Sequence, residues 1–74
     1  MSKLPSISWR DCVKALGKSG FVIVREKRHI IMQRREPPPL CVIPIPKHKS
    51  IKKGTLRGII RQAGLTVDEF IELL

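Results

Sequence analysis

The part of this chain that most directly decides its fold is residues 52–74, KKGTLRGIIRQAGLTVDEFIELL. Apolar residues recur there at spacings of three and four, at Leu56, Ile59, Ile60 and Ala63. This spacing predicts a helix with one buried face. We expect Gly54 or Thr55 to cap its start, and Gly64 stands where a helix ends in a left-handed residue.

A second helix is predicted to follow immediately. Thr66 and Glu69 have the spacing of a capping box, in which each side chain accepts a backbone N–H of the other residue. Leu65 and Phe70 have the spacing of a hydrophobic staple across the same helix start. These pairs predict a short terminal helix that buries Phe70.

Similar signals mark a helix near the other end of the chain. Ser8 and Asp11 have the capping-box spacing. The apolar positions that follow at helical spacing are Trp9, Cys12, Val13 and Leu16. Gly17 and Gly20 are expected to end this first helix.

Three short runs between these helices are rich in β-forming residues. They cover residues 21–25, 29–34 and 40–45, and the small gap between the first two predicts a hairpin. Pro44 and Pro46 cannot donate backbone hydrogen bonds, which indicates that one side of the end of the third strand is an edge or is already leaving the sheet.

These elements predict an α+β fold in the order α-β-β-β-α-α, a single domain over residues 1–74. Its helices should cover one face of a three-stranded antiparallel sheet. We expect Met32, Val42 and Ile43 in the sheet core. Strand alternation then places His29 on the face opposite Met32.

The charge of the chain is concentrated in its middle. Fifteen Lys and Arg residues face six Asp and Glu residues, for a net charge of +9. Residues 25–61 hold eleven of the basic residues and only two of the acidic ones. A basic surface of this density predicts a polyanionic partner such as nucleic acid.

Other classes of protein are not indicated. The N-terminal residues lack the apolar run of a signal peptide, and no stretch approaches the roughly 20 apolar residues that span a bilayer. No Cys/His spacing resembles a zinc site. We therefore expect a cytoplasmic protein with no membrane contact, no metal and no cofactor.

Residues 52–74 closely resemble the C-terminal segment of the HicA toxin family, the mRNA interferases of HicA–HicB toxin–antitoxin pairs. The resemblance continues through KLPSISWRDCVKALGKSGFVIVRE at residues 3–26 and HIIMQRREPPP at residues 29–39. It also includes VIPIPKHKSIKKGTL at residues 42–56, so it covers nearly the whole chain.

This resemblance implies a double-stranded-RNA-binding-like fold, cleavage of mRNA without a metal, and neutralisation by a HicB-like antitoxin. The catalytic histidine of the family follows Gly-Ser at the start of the second strand. His29 occupies that position, but the sequence before it reads Glu26-Lys27-Arg28, without the Gly-Ser and one residue shorter. The resemblance implies that His29 is the catalytic residue.

The chemistry of the residues adds its own argument. An imidazole can accept or donate a proton near neutral pH, as cleavage of RNA by its own 2′-hydroxyl requires. Arg25, Lys27 and Arg28 flank His29 and would neutralise charge on the reacting phosphate. His48 is a second candidate, as an acid/base group, as a phosphate ligand, or as a solvated loop residue.

Phosphate is expected to bind apart from His29, where a basic loop meets the start of a helix. The predicted phosphate ligands in that region are Lys47, His48, Lys49, Lys52, Lys53 and Arg57. Trp9, Phe21 and Phe70 are the only aromatic residues and are expected in the core, so base stacking is not predicted.

Three functions remain open at this point. The first is an endoribonuclease toxin, monomeric when free and hetero-oligomeric with its antitoxin. The second is an RNA-binding domain of the same fold that has lost catalysis together with Gly-Ser. The third is a DNA-binding regulator, which the sequence favours least because no helix-turn-helix pattern stands out.

Overall fold

A computed structural model describes residues 3–74 and confirms the predicted order of elements. These elements are α1 (Trp9–Lys18), β1 (Val22–Glu26), β2 (His29–Arg34), β3 (Cys41–Pro46), α2 (Lys53–Gln62) and α3 (Val67–Leu73). The bounds of β2 agree with the prediction, whereas β1 and β3 each end one residue later than predicted. None of the helices in residues 3–74 has the length and hydropathy needed to cross a bilayer.

The first and last helices begin as the sequence predicts. Ser8 and Asp11 form a capping box on α1, and Thr66 and Glu69 form another on α3. The C-terminal turns of α1 and α2 are followed by Gly20 at φ 98° and Gly64 at φ 75°. This left-handed conformation favours glycine because a Cβ atom would crowd the backbone.

The start of α2 differs from the prediction. Its N-cap is Lys52, so the expectation that Gly54 or Thr55 caps the helix is wrong. The first helical hydrogen bond already runs from the amide of Leu56 to the carbonyl of Lys52, at 2.9 Å. Ile51 and Leu56 are both buried, and their burial holds the chain on either side of this turn.

The sheet is antiparallel with strand order β1-β2-β3, so β3 is an edge strand, the first of the two alternatives that its prolines indicate. Ile30 and Met32 of β2 pair with Ile45 and Ile43 of β3, and all four side chains are buried under the helices. Val42 is 47% exposed, because it alternates with Ile43 and lies on the other face. Its predicted place in the core is therefore wrong.

The opposite face of the sheet is uncovered and partly apolar. We call it the open face. On this face, Gln33 of β2 pairs with Val22 of β1 on one side and with Val42 of β3 on the other. Ile31 of β2 pairs with Pro44 of β3. Helices α1 and α2 pack on β3, and all five residues of β1 are exposed.

Candidate nucleic-acid groove

A groove of about 550 Å³ runs between the open face and helix α2. We call it the histidine groove because both histidines of the chain line it. Its other lining residues include Ile31, Pro44 and Pro46 from the sheet and Gly54, Thr55, Gly58 and Gln62 from α2. The groove thus joins parts of the chain that are far apart in sequence.

His29 lies at the first position of β2, where the hairpin from β1 ends. The amide of Lys27 donates a hydrogen bond to the carbonyl of His29 at 3.2 Å, which closes the turn. On its other side His29 pairs with Pro46 of β3. The side chain is exposed and shares a face with Ile31, as strand alternation predicts.

His48 lies in the connection from β3 to α2, on a backbone held at several points. Its amide donates to the carbonyl of Pro46 at 2.9 Å, and its carbonyl accepts the amide of Trp9 at 3.0 Å. Further along the same connection, Ile51 donates to Ile7 at 2.9 Å. An exposed imidazole is therefore carried on a fixed loop.

The start of α2 opens into the same groove. Lys53, Gly54 and Thr55 are its first three residues, and their amides have no acceptor among residues 3–74. The first turn contains no acidic residue and no side-chain cap, whereas α1 and α3 have both. Free amides at the positive end of a helix dipole favour an anion such as phosphate.

Glycine keeps the wall of the groove open along α2. Gly54 and Gly58 are one helical turn apart, and a Cβ atom at either would meet no other atom within 4 Å. Neither residue has a positive φ, so the backbone does not require glycine at these positions. The space in the groove depends instead on the absence of side chains there.

The basic residues of the hairpin lie beside His29. Arg25, Lys27 and Arg28 line a shallow depression together with His29 and Ile31. This depression adjoins the histidine groove, because both contain His29 and Ile31. Three cations therefore lie at one end of the groove.

Lys47 contacts residues that do not line the histidine groove. Its ammonium lies 3.9 Å from the carboxylate of Glu26 and 5.9 Å from the ring centre of Trp9. Trp9 is half-buried and packs against the core, as predicted. The contacts of Lys47 are thus with α1 and β1 rather than with residues of the groove.

The remaining predicted phosphate ligands divide into two sets. Lys49 and Lys52 are exposed on the connection that leads into α2, and Lys53 is the exposed first residue of that helix. Arg57 lies with Arg61 at the corner between α2 and α3, outside the groove lining. The structure brings His29, His48 and the start of α2 together, and leaves Arg57 apart from them.

The two cysteines are free and take no part in the groove. Burial raises the pKa of the Cys12 thiol to about 12, so this thiol stays protonated at neutral pH. The thiol of Cys41 donates to the carbonyl of Gln62 at 3.0 Å. Within residues 3–74, no three His, Cys, Asp or Glu side chains cluster as metal ligands would.

Sequence reasoning expected phosphate to bind apart from His29, whereas the structure places His48, one of the predicted phosphate ligands, on the same groove as His29. It also missed Gly58 and Gln62 as lining residues. A signal for them is present in the sequence: glycines at positions 54 and 58 share a face of an otherwise amphipathic helix.

A three-stranded antiparallel sheet with helices on one face, and a groove between its open face and α2, defines a class of small α+β proteins. Within that class, the chain belongs to the HicA toxin family, since the model of the HicA toxin of bacterial toxin–antitoxin systems matches residues 9–65. The match begins with α1 and includes the entire histidine groove. No curated protein and no solved structure gives a significant match.

Proposed function

We propose that this toxin is an endoribonuclease that cleaves mRNA in the histidine groove, with His29 exchanging protons with the reacting oxygens. The observation that carries this proposal is that His29 and the free amides at the start of α2 line one groove. An RNA phosphate bound by those amides would bring its ribose beside the imidazole.

The reaction needs only the RNA and proton transfer. The 2′-hydroxyl loses its proton and its oxygen bonds to phosphorus, while the bond from phosphorus to the 5′ oxygen breaks and that oxygen gains a proton. The products are a 2′,3′-cyclic phosphate and a 5′-hydroxyl. An exposed imidazole is suited to such transfers near neutral pH.

The surrounding cations support the same reaction. Negative charge develops on the phosphate oxygens as the new bond forms, and fixed positive charge nearby stabilises it. Arg25, Lys27 and Arg28 lie beside His29, and Lys52 and Lys53 lie at the start of α2. These residues also supply sequence-independent affinity for the RNA backbone.

We also propose that a HicB-like antitoxin covers the open face. Val22 is 58% exposed there and Val42 is 47% exposed. Both lie on the face that carries Ile31 and Pro44, which line the groove. An antitoxin with an apolar centre and an acidic rim would match this surface and exclude RNA.

A second candidate function is RNA binding without cleavage. The observation that favours it is the turn Glu26-Lys27-Arg28-His29, which lacks the Gly-Ser of the family motif. In that case the groove and its cations would still bind RNA, and only the chemistry would be lost.

One experiment tests both functions. Purified protein and a His29→Ala variant are incubated with mRNA in EDTA, and RNA affinity is measured in parallel. We expect cleavage by the wild type, because imidazole proton transfer needs no metal, and a 2′,3′-cyclic phosphate on the product. His29→Ala should lower the rate by about 10² to 10⁴, while affinity changes little because the α2 amides remain.

The outcomes separate the candidates. A His29→Ala protein as active as the wild type would contradict the proposed mechanism. A folded wild type that binds RNA without cutting it would establish the binding function instead. Circular dichroism of both proteins controls for folding, and the exposed position of His29 means that its removal should leave the core intact.

A further inference from the structure

The histidine groove contains a second imidazole whose role the proposed function leaves unassigned. His48 is nineteen positions from His29 in the sequence and lies on a different element, yet both line the groove. The pairing of His29 with Pro46 explains this, because His48 follows Pro46 by two residues. The end of β3 therefore delivers His48 to the start of β2.

Neither imidazole is engaged elsewhere. No hydrogen bond or ion pair with another residue of the described chain holds the side chain of His29 or His48. Both residues are exposed, so both can meet a ligand in the groove.

The backbone of His48 is fixed more firmly than a solvated loop requires. The amide of Trp9 at the start of α1 binds its carbonyl, and Ile51 of the same loop is buried and bonded to Ile7. The hydroxyls of Ser6 and Ser50 lie 2.9 Å apart and form a third hydrogen bond between this loop and residues 6–9. A catalytic group gains from such preorganisation because its position is set before the substrate arrives.

We infer that His48 is a second catalytic residue, and that His29 and His48 act as a general acid–base pair on one RNA phosphate. This inference rests on the proposed function. One imidazole removes the proton of the 2′-hydroxyl as its oxygen bonds to phosphorus. The other gives a proton to the 5′ oxygen as the bond from phosphorus to that oxygen breaks, and water then restores both protonation states.

The first arm of the test uses ordinary RNA. His48→Ala should lower the rate of cleavage by about 10² to 10⁴, as His29→Ala does, because each removes one proton transfer. His48→Gln separates chemistry from binding, since an amide can still donate a hydrogen bond to phosphate but cannot exchange protons at neutral pH. We expect His48→Gln to be as impaired as His48→Ala while its RNA affinity stays near that of the wild type.

The second arm uses RNA in which sulfur replaces the bridging 5′ oxygen at the cleaved position. Thiols ionise near pH 8.5, so the sulfur leaves as a thiolate and needs no proton from the enzyme. The variant that lacks the acid should regain a rate within about tenfold of the wild type on this substrate. The variant that lacks the base should stay impaired, which assigns the two roles.

Each outcome has one meaning. A His48→Ala protein that cuts ordinary RNA at the wild-type rate overturns the pair and leaves the role of His29 intact. A His48→Gln protein with near wild-type activity reduces His48 to a phosphate ligand. If the sulfur substrate restores cleavage in neither His29→Ala nor His48→Ala, the acid–base pair is also overturned. A folded wild type that cuts neither substrate refutes the proposed function itself, and the pair with it.

Discussion

The guanidinium of Arg34 lies at the C-terminal ends of both α1 and α2. It donates to the carbonyl of Ser19 at 3.4 Å and to the carbonyl of Ala63 at 3.1 Å, and these two residues are the C-caps of the helices. Its Cζ also lies 4.6 Å from the ring centre of Phe21. A cation is favoured at the negative end of a helix dipole, and the guanidinium of Arg34 lies at the negative ends of both α1 and α2.

We therefore predict that Arg34→Ala lowers the free energy of unfolding by about 2 to 4 kcal/mol, from the lost charged hydrogen bonds and ring contact. Arg35→Ala is the matched control, because Arg35 is the exposed neighbour with the same charge. It should change stability by about 0.5 kcal/mol or less. Urea denaturation of the two variants measures the difference, and equal losses would mean that only net charge is involved.

Helix α2 both packs against the core and forms a wall of the groove, and these two roles favour different residues. As a helix it packs Leu56, Ile59 and Ile60 into the core. As a wall of the groove it carries Gly54 and Gly58, and glycine within a helix is destabilising by roughly 0.5–1 kcal/mol relative to alanine. The two glycines therefore lower the stability of α2 on the side where the absence of side chains leaves space in the groove.

Gly58→Ala should raise the free energy of unfolding by about 0.5 to 1 kcal/mol, because the added methyl meets no atom within 4 Å. It should also lower RNA cleavage, since the methyl projects into the groove. Gly17→Ala is the control: Gly17 has equal room on α1 and is not among the groove residues. It should stabilise similarly and leave cleavage unchanged. Thermal melts measure the stability of both variants, and cleavage assays measure their activity. Equal changes of cleavage rate in the two variants would contradict this account.

The charge of the whole molecule determines how it meets RNA. The net charge is +9, and the acidic residues beyond position 61 lie on α3 at Asp68, Glu69 and Glu72. The basic residues around the groove come instead from the β1–β2 hairpin and the β3–α2 connection. RNA should therefore approach the side of the molecule that carries both histidines.

We predict about three to six phosphate contacts and a slope of log K against log salt of roughly −2 to −5. Filter binding over a range of salt concentrations measures it. Replacing Lys52 and Lys53 together by alanine should make the slope shallower by about one to two. A slope near zero for the wild type would show that binding does not depend on phosphate contacts.

Most of the fold could be predicted from local sequence. The capping boxes at Ser8 and Thr66, the left-handed glycine at position 64 and the apolar spacing of α2 all depend on residues within one or two helical turns. Local interactions of this kind are present in the chain before it folds. The prediction for the start of α2 was wrong because a buried pair, Ile51 and Leu56, decided it rather than a capping side chain.

The order of elements, the concentration of positive charge and the two candidate histidines could all be inferred from the amino-acid sequence. That His29, His48 and the start of α2 line one groove became evident only from the folded chain. The reason is physical: strand register and helix placement follow from packing between distant residues, such as Ile30 against Ile45, and no local pattern encodes them. Which sheet face is left open was likewise decided by where α1 and α2 pack, and this exposed Val42 beside the groove instead of burying it.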